Sequence, residues 1–224
     1  MFEAKVVAGK ILRTNAAYRP NPSLLNFPGL NTQPFFDSDK FEFWKVLKDN
    51  FQDIKQEYLH MHEKYGQNDY TMVKDEHSLN EGEWIWYNFI EKGKVMDNFQ
   101  KYCPNTTNWL MQIDELMTDT PFSYTFFSTM KPGTMINSHY GPINMRLRCH
   151  LPLVVPDDGS AFLRVAGETK IWKEGEPIVF DDSYEHEACN ISKSQERAIL
   201  LMDVWHPELS IQEITGILTQ YYFL

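Results

Sequence analysis

Cysteine, long hydrophobic runs and positive charge are all scarce in this sequence, and each scarcity excludes something. Three cysteines occur in 224 residues, Cys103, Cys149 and Cys189, far apart and never as a CxxC pair. That argues against a disulfide framework or a zinc ribbon and for reduced thiols in a core. No run approaches the ~20 apolar residues of a membrane span. The opening MFEAKVVAGKILRTNAAYRP holds no unbroken apolar core of signal-peptide length. A soluble, cytoplasmic protein is the expectation. Acidic residues outnumber basic ones 31 to 21, a net charge of −10. Such a balance disfavours a broad surface for nucleic acid or anionic membrane, so any basic cluster needs a local reason. There is no internal repeat and no low-complexity linker.

What is present suits a packed domain. Hydrophobic residues make up 42% and aromatics 14%, enough to exclude disorder. A chain of this size buries roughly three quarters of its unfolded surface without help from metals or disulfides. The expectation is one domain over 1–224: a helical or extended elaboration over 1–121, a β-barrel core over 122–209 and a C-terminal helix over 210–224.

Prolines 20, 22, 28 and 34 punctuate an extended segment laid over a surface. A helix capped near Asp37 or Ser38 follows, with Trp44, Leu47, Phe51, Ile54, Tyr58 and Met61 forming one apolar stripe. Between Gly66 and Gly82 the chain is polar and reads as a loop, a candidate lid. EWIWYNFI has strand composition, and Asn105 or Thr106 can cap a short helix running to about Met117. From Phe122 short β-rich runs alternate with turns: FSYTFFSTM, MRLRCHLPLVV, AFLRVA, ETKIW, PIVFDD, HEACNI and ERAILLMDVW. Many short strands at such spacing indicate a sandwich or jelly roll. Ser210 and Glu213 form a capping box for the last helix. The fold expected is mainly β with flanking helices.

The chemistry-bearing residues concentrate in HYGPINMRLRCH, His139 to His150. In a strand the sides alternate, so Arg146, Arg148 and His150 share one face and Leu147, Cys149 and Leu151 the other. Three basic groups on one face call for an anion, or for acidic side chains from another strand. His139 precedes this strand and His186 follows PIVFDDSYE. Imidazoles drawn from separate strands of a double-sheet barrel suit iron, zinc or copper. Arg197 opens a strongly apolar strand, which suggests a buried anionic partner.

The run from STMKPG (128–133) through HYGPINMRLRCH, Trp172 with Gly175, FDDSYEHE (180–187) and Asp203 to Leu209 resembles the aspartyl/asparaginyl β-hydroxylase family. The likeness extends to PSLLNFPGL, QPFF and EWIWYNFIEKGK, spanning about Pro22 to Ser210. It implies an Fe(II)- and 2-oxoglutarate-dependent dioxygenase on a double-stranded β-helix, a cupin-like jelly roll. On that resemblance His139 and His186 ligate the iron. Ser128 and Arg197 hold the distal carboxylate of 2-oxoglutarate, and Arg148 and His150 meet its chelating end. The family lacks the third, carboxylate ligand of the usual facial triad, and Gly141 stands in that place. Asp182 is then the candidate to hydrogen-bond a water in the vacant position.

The reaction implied spends O2 and 2-oxoglutarate to hydroxylate an unactivated C–H bond. The substrate expected is a peptide or small molecule with an acidic or amide group, such as an aspartyl or asparaginyl side chain. Larger family members act on disulfide-rich secreted modules with help from a helical-repeat region, of which this sequence shows no trace. Arg146 either faces the substrate's acidic group or forms a structural salt bridge. Three alternatives stand beside the hydroxylase: an iron halogenase, which also needs a small residue at 141; a non-catalytic jelly-roll module that binds a carboxylate or metal; and a zinc or manganese enzyme of isomerase type. His206 is expected to be structural, and His60, His62 and His77 are given no chemistry.

Overall fold

A computed structural model describes residues 18–70 and 79–221. Two antiparallel sheets form a jelly roll with helices on its outer side. The larger sheet has the order β1-β10-β7-β12-β5-β3-β4 and the smaller β2-β6-β11-β8-β9. The strands are β1 (Phe35–Phe36), β2 (Leu79–Glu81), β3 (Trp84–Glu91), β4 (Lys94–Val95), β5 (Tyr124–Met130) and β6 (Thr134–His139). Then come β7 (Arg146–Val154), β8 (Ala161–Val165), β9 (Glu168–Ile171), β10 (Ile178–Phe180), β11 (His186–Asn190) and β12 (Arg197–Trp205). Every β-rich run expected after Phe122 forms a strand. β6 is an addition, hidden in the sequence because TMINSH is mostly polar.

Three strands of the larger sheet, β1, β3 and β4, lie before residue 122, so the sheet does not respect the expected division there. The reason is β3, whose side chains are buried on both faces apart from Glu91. One face of the larger sheet meets the smaller sheet through Trp84, Phe126, Ile199 and Leu201, packed with Ile136, Leu163 and Val165. The other face, with Leu147, Leu151, Leu200 and Val204, is covered by helices.

Those helices differ from the single stripe read in the sequence. Asp37 caps only a 3-10 turn (Ser38–Lys40), and two helices follow, α1 (Phe43–Asp49) and α2 (Phe51–Lys64). Asn50 breaks the run: its backbone leaves helical geometry (φ −109°, ψ 17°) and its side chain donates to the Val46 carbonyl at 2.8 Å. The apolar face continues across the break, with Trp44, Leu47, Ile54, Tyr58 and Met61 all buried. α3 (Asp97–Tyr102) was not anticipated, and α4 (Pro104–Leu110) is shorter than expected. Its cap is also different. Pro104 occupies the first turn, and Glu57 of α2 accepts the amides of Asn105 (3.0 Å) and Thr106 (2.7 Å).

α5 (Ile211–Tyr221) opens on the capping box: Ser210 N donates to Glu213 at 2.8 Å and Glu213 N to the Ser210 hydroxyl at 3.3 Å. All three cysteines are buried and unpaired. Among the described residues no helix is long and apolar enough to cross a membrane. Residues 71–78 of the candidate lid, His77 among them, lie outside the described residues.

Candidate active site

β6 and β11 pair antiparallel in the smaller sheet with His139 directly opposite His186. Side chains opposed in this way share a face, so the two rings meet, their centroids 4.1 Å apart and planes inclined 55°. Each ring is anchored in the same manner. His139 Nδ1 lies 2.7 Å from the Asn137 carbonyl, and His186 Nδ1 lies 2.9 Å from the Tyr184 carbonyl. A carbonyl only accepts, so both Nδ1 atoms carry the proton and both Nε2 atoms keep their lone pairs. Burial pushes the His139 pKa down to about 4. Burial and the neighbouring His139 hold His186 well below its ordinary value too. Both are therefore neutral at physiological pH, each with a lone pair left on Nε2.

Among the described residues no group of three or more His, Cys, Asp or Glu side chains gathers around a common point. Gly141 shows why no side chain joins the two imidazoles from that position. A Cβ built there would fall on the Asp182 carboxylate, 2.5 Å from Cγ and 2.8 Å from Oδ1. The space a side chain at 141 would need is already taken by an acid delivered from the FDDS turn, whose backbone carbonyl accepts the Gly141 amide at 2.6 Å.

The pair opens into a cavity of about 370 Å³, its open mouth included, whose polar lining is Ser128, His139, Arg148, His150, His186 and Arg197. Six residues named from the sequence thus meet in one space. At the Arg197 end the polar groups are all donors. Arg197 is 1% exposed, and its Nη1 donates to the Ser128 carbonyl and hydroxyl, each at 3.1 Å. Its Nε has no partner, and among the described residues no carboxylate pairs with it. Burial alone pushes its pKa down to about 9. The Ser128 hydroxyl also accepts from Trp84 Nε1 at 2.8 Å. With two donors on its oxygen, its own hydrogen is left to donate elsewhere. His150 Nε2 is likewise buried without a partner.

One step along β7 the balance is different. Arg148 gives Nε to Asp203 Oδ1 at 2.9 Å and Nη2 to Asp203 Oδ2 at 3.1 Å, with Nη1 3.6 Å from Asp182. Arg146 Nη2 meets Asp182 Oδ2 at 2.5 Å, and its Nη1 lies 3.3 Å from Asp203 and donates to the Phe122 carbonyl. Both guanidinium groups are matched by carboxylates. Burial alone would raise Asp182, but the charges of Arg146 and Arg148 outweigh it and hold the carboxyl below its usual range. Arg146 is fully buried and does not line the cavity. Of the two roles open to it, its geometry is that of the structural salt bridge, because Asp182 and Asp203 already occupy its fork.

Three contributors went unassigned in the sequence. Asp203 clamps both arginines and also accepts the Tyr124 amide at 3.1 Å. The signal was present: an acid inside RAILLMDVW needs a buried partner. Trp84 and Trp172 bear on the site through their indole nitrogens, which no pattern in the chain reveals. His206 ties down the chain near Asn31, whose carbonyl lies 3.1 Å from its Nε2. His62 sits between Tyr87 and Glu196, away from the cavity.

A family model described as Aspartyl/Asparaginyl beta-hydroxylase matches residues 48–207. Aspartate beta-hydroxylase domain-containing protein 2 of Xenopus tropicalis is 32% identical over 196 residues, covering 86% of this chain and 52% of that protein. Aspartyl/asparaginyl beta-hydroxylase of Homo sapiens is 37% identical over 194 residues, covering 85% of this chain and 25% of that protein. The chain thus spans about half, or about a quarter, of the length of these curated relatives. A solved oxidoreductase of the 2OG-Fe(II) oxygenase family from Burkholderia pseudomallei is 13% identical, with a TM-score of 0.41 over 59% of this chain and 74% of that one. So low a score adds nothing to the sheet topology.

Proposed function

The chain belongs to the aspartyl/asparaginyl beta-hydroxylase family, and from that premise we propose that it is an Fe(II)- and 2-oxoglutarate-dependent dioxygenase. The observation that carries the reading is the buried Arg197 guanidinium, uncompensated by any described carboxylate, in the cavity that His139 and His186 open into. A buried cation costs several kcal/mol unless it is matched (about that much per ion after relaxation). No described carboxylate supplies that match, and on this reading an anion bound in the cavity does. The donor set fits 2-oxoglutarate, an acceptor-rich dianion. Arg197 and Ser128 would hold its distal carboxylate, and Arg148 and His150 would face the end nearer the metal. His139 and His186 would hold Fe(II) through Nε2, and Asp182 would steady a water at the position Gly141 leaves free. When bound, metal and 2-oxoglutarate supply the oxidising chemistry, in which O2 is spent, succinate and CO2 form, and C–H becomes C–OH. The protein orients these parts, and its apolar walls exclude water.

The substrate follows less directly. An aspartyl or asparaginyl side chain, or a related small acid, suits the family. Of the two matched guanidinium groups only Arg148 borders the cavity, so it is the one near such a group, with Asp203 already taking its Nε and Nη2. Buried, unpaired thiols support a reducing, cytoplasmic setting. The halogenase alternative loses support at Gly141, because the Asp182 carboxylate fills the neighbouring space and would repel a halide. A module that binds only a carboxylate has no use for two imidazoles posed with both Nε2 atoms free, and succinate formation separates a metal-binding one from the enzyme.

The test measures succinate from 2-oxoglutarate under air with Fe(II), with products of candidate peptides and small acids read by mass in the presence of chloride. Hydroxylation, and its loss together with metal binding in His139→Ala and His186→Ala, is expected. A chlorinated product, or full metal affinity in both variants, would overturn the assignment.

A further inference from the structure

Trp172 lies just beyond β9, is 2% exposed, and does not line the cavity. It touches two residues that do. Its indole Nε1 donates to His150 Nδ1 at 3.3 Å, and its ring carries the Arg197 guanidinium 4.6 Å from its centroid. From this geometry we infer that Trp172 is the positioning residue of the anion-binding end, fixing the tautomer of His150 and the plane of Arg197 at once. The inference rests on reading that end as the seat of the 2-oxoglutarate carboxylates.

The first half follows from proton accounting. An imidazole has three protonation forms, and an N–H donor pointed at Nδ1 is compatible with just one of them. Nδ1 must offer a lone pair, which excludes both the cation and the Nδ1–H tautomer. The proton therefore sits on Nε2, the atom that lacks a partner in the cavity wall. His150 is thus a neutral donor, so the third basic group read on this strand face contributes a hydrogen bond and no charge. Burial, together with the charges of Arg197 and Arg148, acts in the same direction by holding the ring's pKa well down.

The second half concerns orientation. Arg197 is held at Nη1 by Ser128 alone, a single-ended contact that would leave the fork free to tilt. The indole face supplies the other constraint, and its negative quadrupole partly offsets a charge that no described carboxylate neutralises. Two donors are thereby aimed by one ring: His150 Nε2 and Arg197 Nε.

Two replacements isolate the hydrogen bond to His150 from the aromatic face under Arg197. Trp172→Phe removes the N–H and keeps an aromatic face; benzothienylalanine at 172 does the same with the indole's shape intact, which covers the case in which Phe packs poorly. Anaerobic calorimetry of 2-oxoglutarate against the Mn(II)-loaded protein should show affinity weakened about tenfold in both, the loss of one aimed donor to a charged group. Mn(II) affinity should be unchanged. In the metal-free protein, 15N shifts should report Nε2–H at His150 in the parent and a mixture of tautomers in both replacements. A parent that fails to bind 2-oxoglutarate sinks the reading of the anion seat, while the 15N arm still judges the tautomer. A parent that binds, with affinity and tautomer unmoved in both replacements, overturns the role of Trp172.

Discussion

Two neighbouring parts of the site use the same residue type to opposite ends. Around Arg146 and Arg148 every guanidinium finds a carboxylate, from Asp182 or Asp203. Around Arg197 no described carboxylate does, and among the described residues Arg197 Nε and His150 Nε2 stay without partners. The first part is complete as folded. The second is complete only with something added, and that difference separates framework from binding site better than charge or burial does, since all three arginines are buried.

The sharpest way to break the contrast is to damage the matched side. Asp203→Ala strands Arg148 and deprives Arg146, and should cost about 3–5 kcal/mol of stability, read by chemical denaturation. A cost below about 1 kcal/mol, the level of an exposed pair, would mean that this cluster is not the framework it looks to be. Next comes the unmatched side. Arg197→Met removes a cation that no described carboxylate matches, so stability should hold or rise. Affinity for 2-oxoglutarate should meanwhile fall about a hundredfold, roughly two charge-assisted hydrogen bonds. A large loss of stability with affinity retained would reverse the roles of the two regions.

The smallest effect is a division by pH. His139 is held near 4 in the fold, against about 6.5 in an unfolded chain. Unfolding between those values takes up a proton, so the metal-free protein should lose Tm as pH falls from about 6.5 to 4. Asp182 is depressed in the fold, so its contribution is full above its unfolded value near 3.9 and fades only below it. His139→Ala together with His186→Ala should make the loss in the upper window shallower, with His150 and His206, also lowered in the fold, keeping the rest. Asp182→Asn should leave that window intact. Scanning fluorimetry across the range would expose an exchange of the two windows.

Much of this was legible in the chain, and the limit has a physical cause. Strand alternation and turn residues are local, so β5 and β7 to β12 could be read directly, and the facing of Arg146, Arg148 and His150 followed from the period of two. What those residues face is not local. Asp203 and Asp182 reach Arg146 from distant segments, and only the folded register decides that Arg146 is enclosed. The same applies to the break at Asn50 and to Glu57 capping α4: each is settled by a competing hydrogen bond that the apolar stripe does not encode. Trp172 could be picked out in the sequence but not given a task, because its partners lie on other strands.

The pairing of β6 with β11 carries a consequence for how the centre comes into being. The two imidazoles proposed as metal ligands sit across one rung of a ladder, so zippering these strands is itself the act of bringing them together. A slip by a single residue would send one imidazole to the opposite face of the sheet. The backbone ladder therefore serves as the gauge of the chemistry, and an ion spanning that rung would rivet two strands together at the cavity's rim.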